Sequence, residues 1–459
     1  MGQKFYKIRS FIQLSSFDTT TEEGRSKERY RRIAITTAAS LISKCVSIFT
    51  TLISVPLTLN YLGVERYGLW MTISSVISML AFADLGMGNG LLNAISEADG
   101  KNDRKSACMY VSSAFFILVA IATLILTVFA SVYKYIPWQR VFNVTSDLAI
   151  QESGPAMAFL IVCFAISMPL GVAQRVYMGY QEDYKNQLWS ILGAFIALGG
   201  VLLAIYLKAG LPWLVLAMSG GPVFALLISS IVLFYGSQRW LLPNWKSFNW
   251  SASKKIATIG AWFLILQTFT VIGTYSDNLV IAQALGASAV ANYAVTQRLY
   301  STAFISQYFI TPLWPAFGEA MARADYSWAR RTLNRILILS LGIGFVSALL
   351  LFVSAKPIIA IWAGSDLVPT TFLLIGFGFW LPLVGYIGTM STFLNSGSLV
   401  REQVVFFSIT SIMSVILKVV LVHQWQAAGA IWATVFAYGL FYVIPAGKLA
   451  YGSLRLTKV

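Results

Sequence analysis

The sequence predicts an all-α integral membrane protein of about twelve transmembrane helices, and three observations carry that prediction. Of 459 residues, 57% are hydrophobic and only 11% charged, against about 25% charged in a soluble domain. Four long windows (106–133, 209–238, 367–400 and 419–447) hold no charge at all, and about 20 mostly apolar residues suffice to cross the hydrocarbon core. A transmembrane β-barrel reads instead as alternating segments of about ten residues. These runs are continuous and longer, so the spans are helical.

The hydropathy places spans at 33–61, 66–94, 107–133, 154–177, 186–207, 212–235, 256–284, 290–317, 336–363, 369–395, 402–423 and 427–447. Basic residues test that count, because they gather on the cytoplasmic side. With the N-terminus inside, the polar segment before the first span supplies eight of them. The stretches 101–105, 175–185, 239–255, 323–335 and 448–458, with Arg401, supply seventeen more. The opposite loops hold four: Arg66, Lys134, Arg140 and Lys208. Inserting or deleting one early span would scramble this division, so both termini are expected in the cytoplasm.

Several functions are excluded or made improbable. Cys45, Cys108 and Cys163 all fall in apolar stretches without paired spacing, which argues against a disulfide framework or a zinc site. One histidine, His423, makes His-based hydrolysis improbable. No GxxxxGK[ST] loop is present, so ATP is not hydrolysed by that route. The net charge of +15 belongs to the topology signal and not to nucleic-acid binding. No cofactor is expected. The first 32 residues lack an apolar core and cleavage site, and read as a disordered basic tail.

An internal repeat divides the chain. Leu62-Gly63, then Gly68 and Trp70 after the first span, recur as Leu285-Gly286, then Ala291 and Tyr293 after the seventh; Pro169-Leu170 recurs as Pro382-Leu383. Six spans is an even number, so the halves are expected to share one orientation, related by an axis along the membrane normal with the transport path between them. The expected organisation is a tail over 1–32, lobes over 33–235 and 256–447, a linker over 236–255 and a C-terminal tail over 448–459.

Ionisable groups inside spans cost about 2.5–3.5 kcal/mol on insertion scales unless paired or hydrated, so each is a site candidate. Asp277 lies seven residues before the outer turn and Arg298 seven after it, each about 10 Å deep at 1.5 Å per residue. They can form a static pair, or Arg298 can face a cavity as an anion contact while Asp277 tunes it or carries a coupling ion. Lys44 and Asp84 stand at matched depth in spans 1 and 2 by the same arithmetic, and can pair or line a cavity. Lys418, near the outer end of span 11, can snorkel or join the cavity; Arg175 stands at a cytoplasmic mouth where it can meet an anionic headgroup. The glycines of DLGMGNG (84–90) lie within a hydrophobic span and serve close helix packing better than nucleotide binding. The candidate cavity charges are thus more cationic than anionic, which suits a phosphate or pyrophosphate cargo.

LNYLGVERYGLW (59–70), FADLGMGNGLLNAI (82–95), the turn at 285–293 and AKPIIAIWAG (355–364) resemble the polysaccharide-biosynthesis and O-antigen flippase family. That family belongs to the multidrug/oligosaccharidyl-lipid/polysaccharide exporter superfamily, and the similarity covers about 33–450. The resemblance implies a MATE-like bundle of twelve helices in two lobes, in a bacterial plasma membrane. It implies a transporter, not an enzyme, flipping an undecaprenyl-pyrophosphate-linked oligosaccharide by alternating access, coupled to H+ or Na+. The implied partners are that lipid-linked glycan and membrane lipids, with a polysaccharide polymerase or glycosyltransferase beside them. Two alternatives stay open on the residues: a drug/cation antiporter of the same fold, and a membrane-embedded glycosyltransferase or ligase. A major-facilitator transporter is disfavoured, since GKNDRK (100–105) is one residue short of that class's GxxxDR spacing.

Overall fold

A computed structural model describes residues 17–18, 20–80, 84–142, 146–285, 287–362, 365–397 and 399–454. Among them there is helix and turn but no strand. The chain divides into two compact units, Met1–Ala261 and Trp262–Val459. The division falls inside the helix Trp250–Leu285.

Unit 1 begins with α1 (Glu22–Leu80), broken at Gly63, whose φ of 72° lies in the left-handed region that glycine enters without a Cβ clash. There follow α2 (Met87–Gly100), α3 (Arg104–Val132), α4 (Trp138–Phe142), α5 (Asp147–Gly179), α6 (Asp183–Tyr206) and α7 (Leu211–Ile231). In unit 2, α8 (Trp250–Leu285, entering from unit 1) leads to α9 (Ala287–Ser301), α10 (Gln307–Ile310), α11 (Leu313–Ala322) and α12 (Tyr326–Trp362). It ends with α13 (Thr371–Ser396), α14 (Val400–Trp425), α15 (Ala428–Tyr438) and α16 (Ile444–Ser453). Among the described residues, ten helices are long and apolar enough to cross a membrane.

The difference between ten and the expected twelve has a specific cause. The spans expected at 66–94 and 290–317 are not continuous helices. The first is interrupted before α2 by a turn at Asp84–Gly86, where Leu85 and Gly86 both take positive φ. Asp84 accepts hydrogen bonds from the backbone N–H of Gly86 (2.9 Å) and Gly88 (3.3 Å), offering the chain an alternative to helix continuation. The second is broken between Ser301 and Leu313, where Pro312 carries no N–H for a helical bond. Each described piece is shorter than the about 20 residues of a typical span.

Each unit repeats the same internal packing. In unit 1, α5 is the hub that touches α2, α3 and α7, and α6 lies on α7. In unit 2, α13 is the hub against α11, α12 and α15, and α14 lies on α15. Both hubs carry the repeated proline, Pro169 and Pro382.

One expectation needs correction. The tail is not disordered throughout: Glu22–Arg32 is the first part of α1, with Glu22 and Glu23 complementing the dipole of its opening turn. Buried Glu28 accepts from Arg31 (2.6 Å) and Arg32 (2.9 Å), and Arg32 donates to the Tyr180 carbonyl (2.7 Å), tying the helix start to the α5–α6 turn. Residues 1–16 and 19 of the tail lie outside the described residues. The segment 236–255 holds the end of a π-helix (Val232–Ser237), two 3-10 turns (Arg239–Leu241 and Trp245–Ser247) and the start of α8. Asn244 N donates to Ser112 Oγ and Asn249 N to Ser113 Oγ, each at 3.1 Å, fastening the segment to α3.

Candidate functional site

The intramembrane charges do not pair as the sequence arithmetic predicts. In unit 2, Asp277 of α8 forms an ion pair with Lys418 of α14, with Nζ to Oδ1 at 2.5 Å. Lys418 is fully buried and Asp277 is 5% exposed. The ammonium also donates to the Gly273 carbonyl (2.5 Å) and Ser276 Oγ (3.1 Å). The other carboxylate oxygen accepts from Tyr293 OH (2.6 Å) and, at 3.5 Å, from Gln297 Nε2. The expected Asp277–Arg298 pair is therefore absent, and Lys418 neither snorkels nor faces an open cavity. Matched depth sets the height of Asp277 but not its azimuth on α8. The long Lys418 stem turns inward because a carboxylate, a carbonyl and a hydroxyl together satisfy its charge.

Arg298, released from that pairing, is exposed and lines a cavity of about 500 Å³ within unit 2. Its guanidinium has no acidic partner among the described residues. The walls are aromatic (Tyr300, Phe377, Trp380, Phe407, Tyr438) and amide-bearing (Asn278, Gln297, Gln307). This volume is in the usual range for a small-ligand site, and such sites combine apolar walls with a few placed polar groups. Sequence reading misses the aromatic and amide residues, because only charges carry a hydropathy penalty large enough to single them out.

In unit 1, Asp84 and Arg175 line a smaller cavity of about 170 Å³ together with Gly88, Ser167 and Gln174. Gly88 stands between them: a Cβ there would lie 2.8 Å from Arg175 Nε and 3.0 Å from Asp84 Oδ2. Arg175 donates to Asn89 Oδ1 (3.1 Å). Asp84 thus faces Arg175 and the amides of its own turn, not Lys44. Lys44 lies on an exposed part of α1, with no ion pair among the described residues, so the expected Lys44–Asp84 pair is also absent. Hydrogen-bond and charge complementarity with a neighbouring helix outweighs equal depth. Among the described residues no group of His, Cys, Asp and Glu is arranged to hold a metal.

Known proteins share this architecture. A Salmonella typhi protein named for O-antigen transport is 25% identical over 333 residues, covering 71% of this chain and 73% of its own. A Yersinia pseudotuberculosis protein named for O-antigen export is 21% identical, covering 79% of this chain and 83% of its own. Among solved structures, a MATE protein in its bent conformation superposes with a TM-score of 0.78 at 14% identity, over 95% of this chain and 98% of that one. A point mutant of the Vibrio cholerae MATE transporter VcmN gives 0.77 at 15% identity, over 95% and 99%. At such identities the structures establish the fold. The family model for polysaccharide biosynthesis proteins matches residues 31–321. By that match over more than half its length, the chain belongs to the polysaccharide biosynthesis protein family, built on the fold of the MATE transporters.

Proposed function

We propose that this protein is a flippase that carries a polyprenyl-pyrophosphate-linked oligosaccharide from the cytoplasmic to the outer face of a bacterial plasma membrane. The observation that carries the reading is Arg298, a cation without an acidic partner among the described residues, on the wall of an aromatic and amide-lined cavity. A guanidinium offers paired N–H donors that match phosphate oxygens. The family and the O-antigen names of its relatives favour a glycan cargo, and the MATE fold suits alternating access; in this reading an H+ or Na+ gradient is the energy source. Both termini lie in the cytoplasm in this reading, where a polymerase or glycosyltransferase can meet them.

The second reading, a drug or cation antiporter, rests on the MATE fold. It needs membrane carboxylates available to cationic ligands. Asp277 is neutralised by Lys418, and Asp84 is engaged by two backbone N–H groups with Arg175 close by. The electrostatics therefore favour an anionic cargo.

The deciding experiment compares a deletion strain with its complemented parent. Intact lipid-linked oligosaccharides should accumulate on the cytoplasmic side while surface polysaccharide is lost. Arg298→Ala should abolish complementation and Arg298→Lys should retain part of it. Full complementation by the alanine variant at equal expression would remove Arg298 from the transport path. Unchanged lipid-linked pools, with altered sensitivity to cationic dyes, would support the antiporter.

A further inference from the structure

We infer that the unit 2 cavity reads the sugar ring next to the phosphate: Trp380 supplies a stacking face, and Gln307 and Asn278 supply hydrogen bonds to the ring's substituents. This deepens the flippase reading and rests on Arg298 as the phosphate contact.

Hydrogen-bonding capacity on the cavity wall supports the assignment. Buried polar groups in proteins are nearly always hydrogen-bonded, yet Asn278 Oδ1 is buried without a partner among the described residues. Among the described residues, the Gln307 amide and the Trp380 indole N–H also have no hydrogen bond within the protein, and both face the same cavity as Asn278. Gln297 is different, since its amide reaches Asp277 Oδ2 at 3.5 Å. The cavity therefore combines donors and amide acceptors with an indole held edge-on to Tyr438, at 5.4 Å between ring centroids and 71° between planes.

That combination selects a chemical class. A pyranose has an apolar C–H face that lies on an aromatic ring, and a rim of hydroxyl or acetamido groups that both donate and accept. An apolar lipid tail would leave the amides desolvated without a compensating hydrogen bond. A cationic aromatic drug would meet Arg298 without a neutralising carboxylate. A sugar phosphate uses all three features at once.

Gly388 sets how far Gln307 enters. A Cβ at Gly388 would lie 2.5 Å from Gln307 Nε2, so the bare glycine backbone is what lets the amide rest against α13. Gly388→Ala displaces only the end of a flexible side chain, which makes it a gentle way to move one polar reader without emptying the core.

The test is binding to the purified full-length protein in detergent, measured by titration calorimetry. The probes are inorganic pyrophosphate and soluble α-pyranose 1-phosphates with and without a 2-acetamido group. Wild type should bind at least one sugar phosphate about tenfold or more tightly than pyrophosphate, the 1.4 kcal/mol step that roughly one or two net hydrogen bonds supply. Trp380→Ala should erase that preference, weakening sugar-phosphate binding about tenfold more than it weakens pyrophosphate binding. Trp380→Phe should keep part of the preference, and Gly388→Ala should change the order among the sugars. Arg298→Ala should weaken every probe together. Equal binding of pyrophosphate and all sugar phosphates by wild type would overturn the assignment, as would an unchanged preference in both Trp380→Ala and Gly388→Ala. These readouts are independent of lipid-linked oligosaccharide accumulation, so a failed sugar site and a failed flippase reading give different results.

Discussion

The two units use one scaffold to hold different charges. Each is organised around a proline-containing hub, α5 or α13, and each has its second span broken into short pieces. Asp84 stands as far beyond Leu62 as Gln307 stands beyond Leu285, so the two residues occupy matching places after the repeated turns. In unit 1 that place faces Arg175; in unit 2 it faces bare Gly388. The first helices differ in the opposite sense. Asp277 in unit 2 corresponds by the same measure to Ser54, which is buried and whose hydroxyl donates within its own helix, to the Thr51 carbonyl. Unit 2 thus holds its buried charge away from the break, leaving an uncharged amide at the cavity beside Arg298. A repeated backbone constrains where side chains stand, not which of them are charged.

The largest expected effect breaks that difference at its centre. Lys418→Met leaves Asp277 buried without its partner, which costs about 3–5 kcal/mol, and should sharply lower yield and thermal stability in detergent. Adding Asp277→Leu should recover most of the loss, because an apolar pair of similar volume replaces a buried ion pair at little cost. Exchanging the charges, with Asp277→Lys and Lys418→Asp together, should recover part. Wild-type stability in Lys418→Met alone would mean that the pair does not hold α8 to α14.

A smaller effect separates the two glycines. Gly88→Ala pushes a methyl against both Arg175 and Asp84 and should cost about 1–3 kcal/mol, the usual penalty for overpacking. Gly388→Ala should cost less, because the Gln307 amide can swing aside. Equal unfolding temperatures for the two variants would remove the distinction drawn between the breaks. Asp84→Ala should cost about 0.5–2 kcal/mol, as for a lost helix cap, and should leave the sugar-phosphate binding of unit 2 unchanged.

The smallest effect lies outside the membrane. Burial raises the pKa of Glu97, but hydrogen bonds from Lys101 (2.6 Å) and Lys255 (2.8 Å) outweigh it, so the carboxyl titrates below its usual range. The folded pKa is depressed, so the stabilisation is present at neutral pH and is lost as the pH falls through the carboxylate range. Glu97→Gln should flatten the acid side of the stability profile slightly. The carboxylate is partly exposed, so solvent screening keeps the effect small.

Much of the architecture is legible in the residues because it rests on large sums. A run of twenty apolar side chains, or a partition of basic residues between alternate loops, survives errors at single positions. The second and eighth spans read as continuous because a turn inside an apolar run leaves hydropathy unchanged; only Asp84-Leu-Gly and Pro312 mark the interruptions. Arg298 stands out as a cavity cation from its charge alone. Asp277 and Lys418 have other neighbours than spacing suggests, and Lys44 has no ion pair among the described residues, since residue spacing along a helix sets depth and leaves the facing direction open until the helices pack. Gln307, Asn278 and Trp380 give no signal at all, being ordinary in composition.

Hydropathy and the order of charges along the chain establish that it crosses a membrane many times, that its two halves repeat one pattern, and that its intramembrane charges lean cationic. These follow from the cost of placing polar groups in hydrocarbon, which acts on every residue independently of its neighbours. Helix packing is what settles that Lys418 neutralises Asp277, that Arg175 stands across Gly88 from Asp84, and that Arg298 keeps its charge for the cavity. Those outcomes depend on which helix faces meet, because a buried charge is stabilised only by groups within a few ångströms.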